Sequence, residues 1–399
     1  MSPRFPPSPQ ASSKTSVTIL LLNQFFAPDS AATSQMLTDL ARELVNRGHS
    51  VRVICGGSSY GTAGSTEAPG VNVTRLPSAK FGRGKLQRLL SYLSYIIPAA
   101  GFGLFGKKPD LILSMTTPPG LAVVGGFVAW ARGAKHFIWE MDVYMDLVLE
   151  LEYLGRGRRL ATAVGWLIDQ ARKRADGVIT LGECMAERMR GRVHESRVLI
   201  AELWADGSVI RQTPFQADGN LKILYSGNLG LVHDVGTIQE AILQLRSNPR
   251  LKFTFAGGGR QYEELKQFCL EQSLPVTFEP HCERDDLTSR LGASDIGLVT
   301  QKTEALGCVV PSKTYGIMAA GRPILFVGPA ASTTARIIDR FQCGWHVECG
   351  DVAGLVGVFE VLGGNYNRIQ EAGSNARSAF AANYNVGQGV DRVCEILVT

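Results

Sequence analysis

"LKILYSGNLGLVHDVGTIQEAILQL", residues 221–245, decides the fold. An apolar run rich in β-formers ends in a glycine loop, and a helix with Val235, Ile238, Ile242 and Leu245 on one face follows. Strand, tight turn and helix in that order build a parallel sheet, whose strands are buried on both faces. The unit recurs downstream. "LKFTFAGGGRQYEEL" (251–265) is a second strand, glycine turn and helix, and "VTFEP" (276–280), "IGLVT" (296–300) and "PILFVG" (323–328) read as further strands.

Upstream the same alternation runs a first time. "VTILLLN" (17–23) is a strand, and the next helix places Leu37, Leu40, Ala41 and Leu44 on one face with Gly48 as its stop. "VRVICGG", "VNVTRLP", "DLILSM", "HFIWEM" and "GVITLG" continue the pattern to residue 182. The stretch 201–220 is polar and carries Gly and Pro, as a linker does. The expectation is therefore an α/β protein with two Rossmann-like, doubly wound parallel-sheet domains, 17–205 and 206–375. They face across a cleft, because ligands of such sheets bind beyond the carboxyl ends of the strands. A Pro/Ser-rich leader, 1–16, is expected to be disordered. Residues 376–399 read as helices with a break around 383–389, packing back on the first domain.

The bulk properties narrow the function. A chain of 399 residues is long enough for two domains, and 45% hydrophobic with 19% charged is a globular composition. A net charge of +5 favours anionic ligands or membrane surfaces but is too small for a nucleic-acid footprint. The eight cysteines, at 55, 184, 269, 282, 308, 343, 349 and 394, include no Cys-x-x-Cys pair and no neighbouring His cluster. They indicate neither a zinc site nor a redox motif and fit a reducing compartment, so a cytoplasmic location is expected. The uncharged segment 89–106, "LLSYLSYIIPAAGFGLFG", is borderline in length for a membrane span and is interrupted by Pro98 and glycines. A buried crossover helix is the simpler reading. The preceding Lys80, Arg83, Lys85 and Arg88 leave a membrane-surface reading open.

A dehydrogenase would need Gly-x-Gly-x-x-Gly after its first strand, and "QFFAPDSAATSQ" contains no glycine there. A Walker loop is also absent. The second unit offers a different device. Gly227 and Gly230 in one loop, and Gly257, Gly258 and Gly259 in the next with Arg260 beside them, lie where bare backbone N–H groups can approach a phosphate. Strand-to-helix turns select glycine for purely structural reasons too. Lys302 and the helix start Ser312-Lys313 converge on the same anion. In "VVPSKTYGIMAAGRPILFVG" (309–328), Ser312 is placed to cap that helix, Lys313 adds a full charge to its partial one, and Gly321 and Pro323 end it.

These pieces together resemble a known family. "LARELVNRGHSVRVI", "ILYSGNLGLVHDVGTI", "FTFAGGGRQYEELK", "LTSRLGASDIGLV", "VVPSKTYGIMAAGRPIL" and "EAGSNARSAF" span nearly everything from residue 17 onward. In order and spacing the chain is similar to family 4 glycosyltransferases of the GT-B architecture, in the branch that builds bacterial surface polysaccharides. The resemblance implies a retaining, metal-free transfer from a nucleotide-diphosphate sugar, UDP- or GDP-linked, with no cofactor. The second domain would hold the donor and the first a cell-envelope acceptor, polyprenyl-linked or another glycan, at the inner face of the plasma membrane.

The resemblance carries diphosphate binding over to Lys313 and the glycine loops. With the local reading of the residues, the donor-binding candidates are Gly227, Asn228, Gly230, His233, Gly257, Gly258, Arg260, Lys302, Ser312, Lys313 and Tyr315. The catalytic candidates are Asp142, Glu140, Lys313 and Glu304. Glu140, Asp142 and Asp146 follow a strand, where a carboxylate can accept the proton of an acceptor hydroxyl or can equally serve as a helix cap. His136 reads as a packed core histidine, and His233, beside the glycine loop, as functional. The chain departs from the family at three places. Asn228 and His233 stand where many members carry Arg and Lys. The eighth position beyond Glu304 is Ser312 rather than a second glutamate, so ribose recognition is unassigned. "PDSAAT" replaces a frequent double glycine. These departures leave open a second reading, a non-catalytic GT-B protein that binds a nucleotide or a partner; a sugar-nucleotide epimerase would need more cleft acids and histidines.

Overall fold

The structure is a computed structural model that describes residues 16–29, 31–57, 68–79, 84–151, 158–282 and 286–398. The expected leader, 1–16, therefore lies outside the described residues but for Ser16, as do Lys80 and Arg83 of the basic run.

The first sheet takes β1 (Thr18–Leu22), β2 (Ser50–Gly56), β3 (Asn72–Leu76), β4 (Leu111–Ser114), β5 (Lys135–Trp139), β6 (Gly177–Thr180) and β7 (Val198–Ile200). Its helices are α1 (Ala32–Asn46), α2 (Lys85–Gly103), α3 (Leu121–Arg132), α4 (Tyr144–Glu150), α5 (Arg158–Arg174) and α6 (Glu183–Arg190). The second sheet takes β8 (Leu221–Asn228), β9 (Leu251–Gly258), β10 (Val276–Glu279), β11 (Ile296–Thr300), β12 (Ile324–Val327) and β13 (Gly344–Val347). With it go α7 (Gly236–Gln244), α8 (Arg260–Glu271), α9 (Leu287–Gly292), α10 (Lys313–Ala319), α11 (Thr333–Phe341), α12 (Val352–Gly363), α13 (Tyr366–Asn383) and α14 (Val386–Val398).

All pairings in both sheets are parallel, in the orders β3-β2-β1-β4-β5-β6-β7 and β10-β9-β8-β11-β12-β13. Each order reverses once, between β1 and β4 and between β8 and β11, and the crevice at such a reversal is where a parallel sheet receives its ligand. The strands beside these points are apolar because helices cover both faces: every residue of β4, β6, β11 and β12 is buried.

Two chain crossings join the halves side by side. The linker after β7 runs without regular structure, apart from one bridge, in which the Ala205 N–H donates to the Tyr384 carbonyl at 3.1 Å, opposite Asn385. At that bridge the chain returns, and α14 packs on α1, with Arg47 paired to Asp391. The break between the last two helices is thus two residues, 384–385, shorter than the sequence suggested, and α13 runs through position 375 without interruption. One hydrophobic core continues across the junction, where the Trp139 and Trp204 rings lie 5.7 Å apart.

The segment 89–106 forms most of α2, a crossover from β3 to β4, but it is not buried all round. Tyr95 and Ala99 face the core, while Leu89, Leu90, Leu93 and Ile97 face outward. Among the described residues no helix is long and apolar enough to cross a membrane.

Candidate active site

The second-domain half of the site forms where β8 and β9 end together. Their register pairs Gly227 with Gly257 and Asn228 with Gly258. A β-carbon on Gly257, at φ 144°, would stand 2.1 Å from the Gly227 carbonyl oxygen, so glycine is required for the strands to approach. Part of the glycine signal is therefore packing. The Leu229 N–H donates to Gly258 O at 2.7 Å, and the Tyr225 hydroxyl donates to Asn228 O at 2.8 Å.

Lys313, the first residue of α10, reaches under this loop. Its Nζ stands 4.9 Å from the centre of the Tyr225 ring. Among the described residues it has no carboxylate partner, and burial pulls its ammonium down to about 8. A half-buried cation without a counter-ion is costly unless a ligand brings the anion. His233 packs beside it, edge-on to Tyr225 at 5.9 Å, with Nδ1 donating to Gly230 O at 2.9 Å. Burial first, and the Lys313 charge second, lower its imidazole to about 3, so His233 is neutral. Lys302 is half-buried after β11, its N–H donating to Val232 O at 2.8 Å. Asn228 is exposed at the rim of the loop.

Other expected donor residues are not gathered here. Tyr315 is fully buried and packs on Tyr384 at 5.2 Å. Two positions along a helix is more than half a turn, so a helix that aims Lys313 at the loop aims Tyr315 into the core. The Tyr315 side chain therefore lies away from the loop. Arg260 pairs with Glu264 at 2.9 Å along the exposed side of α8. Glu304 is exposed on a short 3-10 turn, Thr303–Ala305, that packs on α4. Ser312 occupies the cap position of α10 with helical φ and ψ, −64° and −21°, and its side chain caps nothing. The expected cap is absent because a capping side chain needs an extended backbone to turn back on the helix.

The first-domain half lies at the ends of β4 and β5. Glu140 is fully buried, and its Oε1 takes the Arg172 Nε–H at 2.6 Å. Arg172 holds Asp169 as well, at 2.8 Å, while Glu140 Oε2 has no partner among the described residues. The Thr116 hydroxyl oxygen accepts the N–H groups of Met141 and Asp142 at 3.2 and 3.3 Å. Thr116, Gly120, Glu140, Asp142, Tyr144 and Arg172 line one pocket. Burial, and then the charge of Glu140, push the Asp142 carboxyl up to about 6. Asp146 has a different role. Burial alone would raise it, but hydrogen bonds from Arg192 and Arg188 hold it below its ordinary range, so it ties α4 to α6 and the segment that follows. His136 is a core residue as expected, its Nε2 2.8 Å from Ser114 Oγ and its pKa lowered to about 4 by burial.

The halves touch directly. The Val143 N–H, next to Asp142, donates to Cys308 O at 2.8 Å, and Arg188 donates to Leu306 O at 3.2 Å. Sequence reasoning missed Tyr225, Thr116 and Arg172. Tyr225 stands two residues before a glycine already singled out, whereas Arg172 meets Glu140 across 32 positions with no local signal.

Residues 32–202 match the Glycosyl transferase 4-like domain and residues 208–379 the Glycosyl transferases group 1 family. The chain is 27% identical to the probable glycosyltransferase WbjE of Pseudomonas aeruginosa, over 71% of this chain and 74% of that one. It is 25% identical to the putative colanic acid biosynthesis glycosyl transferase WcaI of Escherichia coli K12, over 81% and 86%. In fold it is similar to sucrose-phosphate synthase of Thermosynechococcus elongatus (TM-score 0.74, 14% identity, 95% and 98% covered). It is also similar to HepE of Anabaena, solved with UDP-glucose (TM-score 0.69, 16% identity, 96% and 99% covered). The two family matches divide the chain where its two sheets divide it, and the chain belongs to the family 4 glycosyltransferases of the GT-B fold.

Proposed function

We propose that this chain moves one sugar from a nucleotide-diphosphate sugar, UDP- or GDP-linked, to a hydroxyl of a bacterial surface-polysaccharide precursor. The acceptor is a lipid-linked glycan at the inner face of the plasma membrane, and the enzyme works from the cytoplasm. The observation that carries the donor side is Lys313, a cation drawn under the glycine loop without a counter-ion among the described residues. As the bond between sugar and β-phosphate stretches, negative charge grows on the departing diphosphate. Lys313 and the backbone N–H groups of the loop meet that charge, so no metal ion is required. Across the cleft, Asp142 ionises near neutrality and orients the acceptor hydroxyl as its proton is lost. The new bond forms on the face the diphosphate leaves, with retention.

Thermal shift with UDP, GDP and their sugars tests the donor site, since a ligand at 100 times its Kd adds about 2.7 kcal/mol. Absence of a shift with every nucleoside diphosphate would remove the donor reading. Once a donor is found, turnover in excess EDTA and NMR of the product anomer test the metal-free, retaining reaction. A second reading, a non-catalytic nucleotide-binding protein, draws on the neutral His233 and Asn228, where many relatives carry cations. It predicts the thermal shift without turnover on any membrane-derived acceptor.

A further inference from the structure

We infer that the outer faces of α2, α3 and α5 form one docking surface for an anionic lipid bilayer, on which the first domain sits. The inference deepens the acceptor reading above and rests on it only for its purpose. Of thirteen large hydrophobic side chains exposed among the described residues, eleven fall between positions 89 and 167. Ile97 of α2 is 68% exposed, Phe105 just beyond it 71%, Trp130 of α3 81% and Trp166 of α5 60%. The helices pack side by side, α2 on α3 and α3 on α5. The Phe127 and Trp130 rings lie 6.3 Å apart on α3. Right-handed crossovers put α3 on the opposite face of the sheet from α1, which is the helix that α14 covers. A cluster of this size is far from the scattered apolar residues of an ordinary surface.

Charge identifies the occupant. Residues 77–139 contain eight Lys and Arg but one acid, Asp110, although the whole chain is only mildly basic. Lys107, Lys108 and Lys135 are exposed, as are Arg158 and Arg159 at the start of α5. A twofold contact between copies would lay this one-signed surface against itself, so like charges would meet at its rim. Anionic headgroups instead complement the basic rim, while Trp and Phe insert at the boundary with the acyl chains. The surface expected from the basic run and its neighbouring apolar side chains is thereby extended to two further helices.

The position suits the acceptor pocket. Gly120 at the start of α3 and Arg172 on α5 line the pocket from within, while Trp130 and Trp166 face out from the same helices. Ten residues of α3 separate Gly120 from Trp130, about 15 Å at 1.5 Å per residue. A glycan carried on a lipid can therefore reach the pocket without leaving the bilayer surface.

Co-sedimentation of the full chain with phosphatidylcholine vesicles, with and without phosphatidylglycerol, tests this. The expected result is binding that requires the anionic lipid and weakens with salt. Trp130→Ser combined with Trp166→Ser should reduce it at least about tenfold, as a smaller apolar area is buried. Lys107→Glu with Lys108→Glu should reduce it at low salt and less at high salt. Both variants change exposed residues only, and unaltered melting and an unaltered nucleotide shift confirm that they fold. No binding to either vesicle, binding indifferent to both variants, or a dimer that the Trp variants dissociate would each overturn the inference. Since no turnover is measured, such a failure leaves the donor reading standing, and a missing nucleotide shift with intact vesicle binding does the reverse.

Discussion

Lys313 and Gly227 approach closely: a β-carbon on Gly227 would stand 2.8 Å from Lys313 Cε, so the lysine stem would have to shift. The lysine stem passes there on its way to the Tyr225 ring, and Gly227 sits at φ 132°, a conformation other residues resist. On the proposed function, removing the cation in Lys313→Ala deletes a charge-assisted contact to the diphosphate worth roughly 1.5–3 kcal/mol. At 1.36 kcal/mol per decade, kcat/KM should fall roughly 10- to 160-fold. Because charge grows on the phosphate during bond breaking, kcat should fall more than donor affinity. Gly227→Ala should reproduce much of this loss by displacing the stem, with added destabilisation. Unchanged kinetics in Lys313→Ala would end the donor-site assignment.

The two halves of the site titrate on either side of neutrality, which predicts a bell-shaped kcat/KM. Below about 6 Asp142 is protonated and cannot take a proton from the acceptor hydroxyl. Above about 8 Lys313 loses its charge. His233, already neutral, adds no limb in this range. Asp142→Asn should abolish the acid limb along with most activity. Lys313→Arg should move the alkaline limb beyond reach, because guanidinium does not deprotonate in proteins. A bound diphosphate stabilises the ammonium, so the alkaline limb of kcat should lie above that of kcat/KM. A profile flat from pH 5 to 9 would count against both assignments.

Two serines at helix starts should behave differently. Ser312 is exposed and caps nothing, so Ser312→Ala should shift stability by no more than about 0.5 kcal/mol. Ser332 is buried, and its Oγ accepts the Ala335 N–H at 3.1 Å, so Ser332→Ala should cost about 1 kcal/mol or more. Thermal unfolding compares them. A kinetic defect in Ser312→Ala without a stability change would mean that its hydroxyl touches the donor.

The fold was legible because its signals are local. The residues that mark α1, Leu37, Leu40, Ala41 and Leu44, are all buried, and each strand beside a switch point is one apolar run. The donor loops were legible as glycines, though Gly257 answers first to the close approach of two strands. Tyr315 does not join Lys313 at the loop, because helical periodicity turns the two side chains to different sides of α10. The apolar run 89–106 could not reveal which side of α2 a neighbour covers. The partners of Glu140 and Asp146 lie 32 to 46 positions away, and no short motif encodes such pairings.

Arg172 therefore carries the prediction that only the structure makes. It is buried, donates to Glu140 at 2.6 Å and to Asp169 at 2.8 Å, and lines the pocket that holds Asp142. Arg172→Met leaves Glu140 as an unpaired buried charge, and breaking a buried pair in this way costs about 3–5 kcal/mol. The double variant Arg172→Met with Glu140→Gln removes the charge as well, and should recover most of that loss. Activity separates position from stability. With Glu140 neutral, the like charge that helps raise Asp142 is gone, so the acid limb of kcat/KM should move below 6 in the double variant. An acid limb that stays at about 6 would show that burial alone sets the Asp142 pKa, and Arg172 would then serve only the fold.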